Sequence, residues 1–371
     1  MDDALQFLDT PLTPQAFTEL IRAYSPKRIL LVRGKASFEA CGAKQLCELA
    51  FDSTGANVVE FFDFEENPKI GDVERGLTLF RDNAIDLVVA IGGGSVLDMA
   101  KLIRFFAAYA GDIEIGEYLQ ENDCVPLLAF PTTSGTGAEC THFAVCYKNR
   151  KKYSLTHADV RPTKAYLIPE WTHACSPYLT ACVGFDAFAQ AVESYWSVRS
   201  TDVSREYALR AISLLYPNLE ACVKNPTPEL RRKIAEGAYW AGRAIDISFT
   251  TAAHAFSYGL TTYLGFPHGR AVASSLGYFF DQNLNISEDN CNDPRGVEFV
   301  RARMQELCGI LKIESGAELS RWTRFLFGRW LKNVPPSEEE WTACLASVNL
   351  SRLSNNPTKI LKNPNVNDFI W

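Results

Sequence analysis

The segment 182-CVGFDAFAQAVESYW-196 sets an acid, Asp186, and an amide, Gln190, four residues apart among Val183, Phe185, Ala187, Phe188, Ala189, Ala191 and Val192. On a helix those two side chains meet on one face, and their neighbours describe an interior. Downstream, 251-TAAHAFSYGLTTYLGFPHG-269 places His254 in an apolar helical run and His268 after Pro267, where a turn precedes the next helix. One carboxylate, two neutral imidazole nitrogens and an amide oxygen make a donor set that suits Fe(II) or Zn(II) better than Mg or Ca. Such a centre would polarise a carbonyl oxygen as a Lewis acid. The same residues equally describe two core histidines and a buried acid, and spacing does not separate the two readings.

A second chemistry lies upstream. Residues 86-DLVVAIGGGSVLDMAK-101 read as a buried strand, three glycines and a helix opened by Ser95. Glycine lets a backbone approach a phosphate closely, and a helix N-terminus offers N–H groups and a positive dipole end. The pattern G-x-G-x-x-G is not met, because its third glycine would fall at Leu97, and a Walker A loop is absent too. A tight turn is the bland alternative. The loop 130-FPTTSGTGAE-139, rich in hydroxyls and glycine, follows another strand-like run. Two such loops at the C-terminal ends of nearby strands are what a doubly wound dinucleotide site requires.

The elements that must position these groups follow from periodicity. The first half alternates short β-branched runs (28–32, 58–62, 86–91, 125–130) with helical patterns near 37–50, 71–83 and 95–110. That pattern predicts a parallel sheet covered on both faces. From about Pro169 onward the pattern is helical: 183–196, 201–218, 227–242, 296–311, 317–331 and 337–346. The expectation is an α/β dinucleotide-binding domain over 1–169 and an all-helical metal- and substrate-binding domain over 170–371, with ligands in a cleft between them. Composition is that of an ordinary globular chain: 371 residues, 47% hydrophobic, 22% charged, net charge −7. This balance argues against a nucleic-acid or membrane partner. The acidic start MDDALQFLDT is unlike a signal peptide, and the eleven cysteines never form C-x-x-C. Reduced thiols and a cytoplasmic location are expected.

Taken together, 92-GGGSVLDMAK-101, 131-PTTSGTGAE-139, 184-GFDAFAQAVESY-195 and 265-GFPHG-269 resemble the iron-containing alcohol dehydrogenase family, relatives of dehydroquinate synthase, in order and over nearly the whole chain. The resemblance implies a dehydroquinate synthase-like fold, NAD(P)H, a divalent metal, Fe(II) or Zn(II), and a homodimer. By the same resemblance Gly93, Gly94 and Ser95 hold the pyrophosphate, and Asp98 lies near the nicotinamide end. Asn67 sits beside the adenosine ribose, Thr132 and Thr133 line the cofactor cleft, Leu179 packs on adenine, and Lys152 contacts the nicotinamide ribose. Asp186, His254 and His268 match three of the family's four metal ligands; Gln190 stands where most members carry histidine.

Within the family, this glutamine together with 193-ESYWS-197 and 347-SVNLSRLSNNP-357 is most similar to a branch that reduces phosphonoacetaldehyde, which implies a place in phosphonate metabolism. Phe249 departs from an expected lysine and Ala253 from an expected proline. Gly34, between Arg33 and Lys35, replaces an aspartate of many NAD-preferring members, and Ser37 adds a donor, so NADPH enters beside NADH. Arg243 and Arg270 are the candidates for an anionic substrate head group. Alternatives from other classes are a sugar-phosphate cyclase that uses NAD transiently, a generic short-chain alcohol dehydrogenase, and a nucleotide-binding relic whose metal site decayed at Gln190.

Overall fold

The apolar runs of the first half do become parallel strands, and their alternation explains why helices cover both faces. In the computed structural model, which describes residues 5–7, 12–149, 151–332, 334–360 and 363–371, the chain folds as two compact units, Met1–Cys175 and Ser176–Trp371. The first runs β1 (Leu5–Phe7), α1 (Pro14–Arg22), β2 (Arg28–Arg33), α2 (Ala36–Ala40), α3 (Ala43–Thr54), β3 (Asn57–Phe61), α4 (Ile70–Asp82), β4 (Leu87–Gly92) and α5 (Gly94–Ala108). It continues through β5 (Tyr109–Asp112), β6 (Glu117–Gln120), β7 (Leu127–Pro131), β8 (Phe143–Lys148), β9 (Lys151–Thr156) and β10 (Lys164–Leu167).

Six strands form one parallel sheet in the order β1-β10-β7-β4-β2-β3. Side chains alternate across it. Ile29, Leu31, Leu87, Val89 and Ile91 pack with Phe17, Phe38 and Phe51 of α1, α2 and α3. Leu30, Val32, Val88 and Ala90 pack with Val73 of α4 and Leu97, Ile103 and Phe105 of α5 on the other face. From β2 the chain moves outward to β3, then returns past β2 to β4 and continues on the other side to β7 and β10. The C-terminal ends of β2 and β4 therefore border the point where winding reverses, which is where doubly wound sheets bind ligands.

Two hairpins, β5–β6 and β8–β9, and the outer strands β10 and β1 escape the periodicity reading. They are short and of mixed polarity, so nothing local marks them apart from loops. The helical run at 37–50 is also broken in two, by Gly42 at φ 82°.

The second unit is helical throughout: α6 (Pro177–Trp196), α7 (Asp202–Leu215), α8 (Leu219–Lys224), α9 (Pro228–Ser248), α10 (Ala252–Leu264), α11 (His268–Ala273), α12 (Leu276–Leu284), α13 (Val297–Leu311), α14 (Gly316–Phe327), α15 (Glu338–Ala346) and α16 (Leu350–Leu353). α6 starts at Ser176, whose hydroxyl accepts from Leu179 N at 3.2 Å, with Pro177 in the first helical position. Nearly all of it past the first turn is buried, because α7, α8, α9 and α11 surround it. None of the described helices is long and apolar enough to cross a membrane.

Two glycines permit this crowding. A Cβ on Gly184 would meet Leu219 Cδ1 at 2.3 Å, and one on Gly269 would lie 1.9 Å from the Cys182 carbonyl oxygen and 3.1 Å from Asp186 Cβ. Gly269 thus sets how closely α11 approaches α6. Replacement of Gly269 by alanine must push backbone from backbone. We expect Gly269→Ala to destabilise the fold by about 1–3 kcal/mol, read as a lower midpoint in urea unfolding; an unchanged midpoint would refute the close-approach account.

Candidate active site

Three donors converge in the helical unit. Asp186 on α6 directs Oδ1 to within 3.3 Å of His254 Nε2 on α10 and 3.6 Å of His268 Nε2 at the start of α11. The two imidazole centroids are 5.4 Å apart and ligand atoms of all three residues lie within 4.8 Å of one another. Gln190, one turn beyond Asp186, donates from Nε2 to Asp186 Oδ2 at 3.0 Å. Its own Oε1 is buried and, among the described residues, accepts no hydrogen bond; the same holds for His254 Nε2. A buried amide oxygen and a buried imidazole nitrogen without partners are costly. A divalent cation among them removes that cost, so the residues fit a metal. Spacing alone left open whether these residues meet; in the fold both imidazoles do meet Asp186.

A residue absent from the sequence-based site organises the cluster. Glu193, fully buried one turn past Gln190, directs Oε2 at His254 Nδ1. Its Oε1 accepts from Thr251 Oγ1 at 2.8 Å, Thr251 N at 3.2 Å and Ala253 N at 2.9 Å, so it also caps the N-terminus of α10. The acid–amide–acid spacing 186, 190, 193 along one helix face was the available signal. Ala253, where the resemblance led to proline, offers an N–H that proline lacks. A carboxylate only accepts, so Nδ1 carries the proton and Nε2 presents its lone pair to the metal position. Burial alone would hold the imidazolium down, yet the Glu193 and Asp186 carboxylates raise its pKa to about 9. On the other imidazole, His268 Nδ1 lies 3.4 Å from Ser257 Oγ.

Both candidate head-group arginines have partners of their own. Arg270, two residues beyond His268, is turned about 200° round α11; it is buried, donating from Nη1 to Ser274 Oγ at 2.7 Å and from Nη2 to the Ile370 carbonyl at 3.0 Å. Arg243 on α9 donates to Tyr239 OH at 2.9 Å and lies over the Tyr207 ring. Phe249, the departure from lysine, ends α9 at φ 58° with the Arg199 and Arg352 guanidiniums 5.3 and 4.8 Å from its ring centroid.

In the α/β unit the glycine turn links β4 to α5. Space, not backbone angle, demands glycine there: none of the three has a positive φ, but a Cβ on Gly92 would meet Val96 Cγ2 at 2.5 Å and one on Gly94 would meet Thr136 Cγ2 at 2.7 Å. No side chain among the described residues caps α5, whose N-cap is Gly93. Ser95 Oγ accepts from Asn67 N at 3.1 Å, which pins the loop after β3 beside the turn. Thr132 is buried, its Oγ1 lacks a partner among the described residues, and its N–H donates to Gly92 O at 2.9 Å. A Cβ on Gly93 would lie 3.3 Å from Thr133 Oγ1.

Gly34 N donates to Ile91 O at 3.0 Å, so the end of β2 is paired to the end of β4. Asp98 accepts from Val145 N at 3.0 Å, tying α5 to β8, and desolvation raises its carboxyl pKa against the pull of Lys101 and Lys152. Leu179 belongs to the helical unit, on the first turn of α6, and is 40% exposed.

A doubly wound α/β unit with a glycine turn at the start of α5, followed by a helical unit whose Asp186, His254 and His268 could hold a metal ion, fits the class of metal-dependent dehydrogenases. The chain belongs to the iron-containing alcohol dehydrogenase family: the family's description matches residues 13–169, and its C-terminal counterpart matches 180–322. It is an enzyme of alcohol–aldehyde oxidoreduction. It is 33% identical over 292 residues to phosphonoacetaldehyde reductase of Streptomyces viridochromogenes, covering 74% of this chain and 73% of that one. A long-chain-alcohol dehydrogenase of Geobacillus thermodenitrificans is 33% identical over 60% of this chain and 58% of its own length. Among solved structures, sulfoacetaldehyde reductase from Bifidobacterium kashiwanohense in complex with NAD+ superposes with a TM-score of 0.83 at 26% identity, over 98% of this chain and 94% of that one.

The Glu193 contact generates a test. Glu193→Gln keeps an acceptor for the α10 cap but faces His254 Nδ1 with an NH2 group, which favours the tautomer that blocks Nε2. Metal affinity, measured by competition with a chelator, is expected to fall roughly 10- to 100-fold. Wild-type affinity in this variant would show that Glu193 does not act through His254.

Proposed function

We propose that this chain catalyses the reversible NAD(P)H-linked reduction of a small anionic aldehyde of the phosphonoacetaldehyde type, with a divalent metal, Fe(II) or Zn(II). The observation that carries the reading is the convergence of Asp186 Oδ1 on both imidazole Nε2 atoms beside the buried, unpartnered Gln190 Oε1. Two similar proteins named for acetaldehydes with acidic substituents support the substrate class. A cytoplasmic homodimer is the setting we assign, on the resemblance and on eleven free thiols.

The reaction adds a hydride to the carbonyl carbon and a proton to its oxygen, converting aldehyde, NAD(P)H and one proton to alcohol and NAD(P)+. A metal held by Asp186, His254, His268 and Gln190 supplies Lewis-acid polarisation of the carbonyl oxygen when bound. Asp186 balances part of its charge. Glu193 keeps His254 in the ligating tautomer, and Gln190 orients Asp186 through Nε2 while leaving Oε1 as the fourth donor. Burial of these groups excludes competing water, which strengthens each electrostatic contact. Gly93, Gly94 and Ser95 receive the pyrophosphate at the uncapped start of α5. Asn67, Thr132, Thr133, Asp98, Lys152 and Leu179 keep the cofactor roles that the resemblance implies. Arg243 is the remaining head-group candidate, since Arg270 is engaged by Ser274 and the C-terminal segment.

Two measurements test this. Phosphonoacetaldehyde should be reduced with a kcat/KM about ten- to a hundredfold above that for propanal, the effect of one charge-assisted contact; equal values would reject the anionic substrate and leave the family intact. For the metal, Gln190→His should tighten binding and Gln190→Leu weaken it in chelator competition, since imidazole is the better donor for these ions. If both variants hold metal as the wild type does, Gln190 is not a ligand.

A further inference from the structure

Which nicotinamide nucleotide the α/β unit selects turns on the charges at the ends of β2 and β3, and the sequence alone presents these misleadingly. Arg33 and Lys35 flank Gly34 and look available to a 2′-phosphate. In the fold each already contacts a carboxylate. Arg33 Nε and Nη2 both contact Glu60 Oε2 at 2.7 Å, and Nη1 donates to Gly34 O at 3.2 Å. The guanidinium is clamped between Phe62, 3.8 Å from the ring centroid, and Phe38, at 4.8 Å, leaving the side chain 15% exposed. Lys35 Nζ lies 3.0 Å from Asp63 Oδ1. Both cations therefore already face carboxylates, and in Arg33 each of the three guanidinium nitrogens has an oxygen in contact.

Those carboxylates belong to a larger feature. The stretch from Glu60 to Glu66 reads EFFDFEE and carries four acids: Glu60, Asp63, Glu65 and Glu66, all exposed. It starts at Glu60, opposite Leu31 near the end of β3 and in side-chain contact with Arg33, and is followed by Asn67, whose N–H is bonded to Ser95 Oγ at the glycine turn. An acidic loop thus runs along the crevice at the winding reversal, from the strand neighbouring Gly34 to the first turn of α5. Gly34 is itself paired to β4 one residue before that turn. A Cβ at position 34 would fall 2.1 Å from Ser37 Oγ, so a side chain there would first have to turn that hydroxyl aside.

We propose that Glu60, backed by Asp63, Glu65 and Glu66, makes this enzyme select the nucleotide with a free ribose 2′-hydroxyl, NADH, and reject the 2′-phosphate of NADPH. A hydroxyl donates to a carboxylate, whereas a phosphate carrying close to two negative charges meets a loop that stays net negative, four acids against Arg33 and Lys35, and must displace Glu60 to reach Arg33. The acid that a dinucleotide fold usually carries at the end of the strand beside the glycine turn is here supplied by the next strand. This inference rests on the nucleotide site of the proposed function, and the test separates the two.

The measurement is calorimetric binding of 5′-AMP and 2′,5′-ADP to the whole chain, at low and high salt, for the wild type and Glu60→Gln. The wild type should bind 5′-AMP at least tenfold more tightly, and the gap should narrow as salt screens the loop. Glu60→Gln frees the Arg33 fork, and the gap should shrink by about tenfold or reverse, with the NADH-to-NADPH ratio of kcat/KM moving in parallel. Tighter binding of 2′,5′-ADP by the wild type, or a gap unmoved by Glu60→Gln, overturns this inference and leaves the nucleotide site standing. If neither fragment binds, the nucleotide site fails and the inference fails with it.

Discussion

A single buried carboxylate holds the helical unit's chemistry in place. Glu193 has no access to solvent, and an ionised acid in that position is tolerated only where donors surround it. Here three backbone N–H groups at 2.9, 3.2 and 3.4 Å, a threonine hydroxyl at 2.8 Å and one imidazole do so. The same contacts dock the start of α10 against α6 and fix the ring of His254. Structure and site are therefore one interaction: moving α10 to relieve strain would also turn His254 away from Asp186.

Charge balance follows from that arrangement. Asp186 and Glu193 place two carboxylates in an apolar core with His254 between them. Burial opposes the imidazolium, but the two acids outweigh it, and the pKa rises to about 9. A region that holds a proton so firmly is short of positive charge, and a divalent ion supplies it more completely than a proton can. The buried Gln190 oxygen completes the argument, because a proton on His254 would leave it still unpartnered.

The α/β unit obeys a different constraint, one of space. Its glycines at the β4–α5 turn have ordinary backbone angles, yet Val96 and Thr136 leave no room for a Cβ at two of them. The turn packs closely against its own helix and against the 131–139 loop, and no side chain among the described residues caps the α5 N-terminus. Beside it, the reversal of winding between β2 and β4 brings Gly34 to the turn, and the loop after β3 brings acids to Gly34.

The sequence by itself determined the four neighbouring strands β7, β4, β2 and β3, the helical character of the second unit, the glycine turn and the residue types of the candidate metal cluster. Each is a local pattern of burial or donor chemistry within about twenty residues, and such patterns survive whatever the rest of the chain does. It left β1, β10 and both hairpins unmarked, because short strands of mixed polarity exist only through partners distant in the chain. Tertiary structure alone decided that His254 and His268 meet Asp186, that Glu193 stands behind His254, and that Arg270 turns toward Ile370. It alone paired Arg33 with Glu60. These are contacts between groups tens of residues apart, and their geometry depends on how helices and strands pack, which no local spacing encodes.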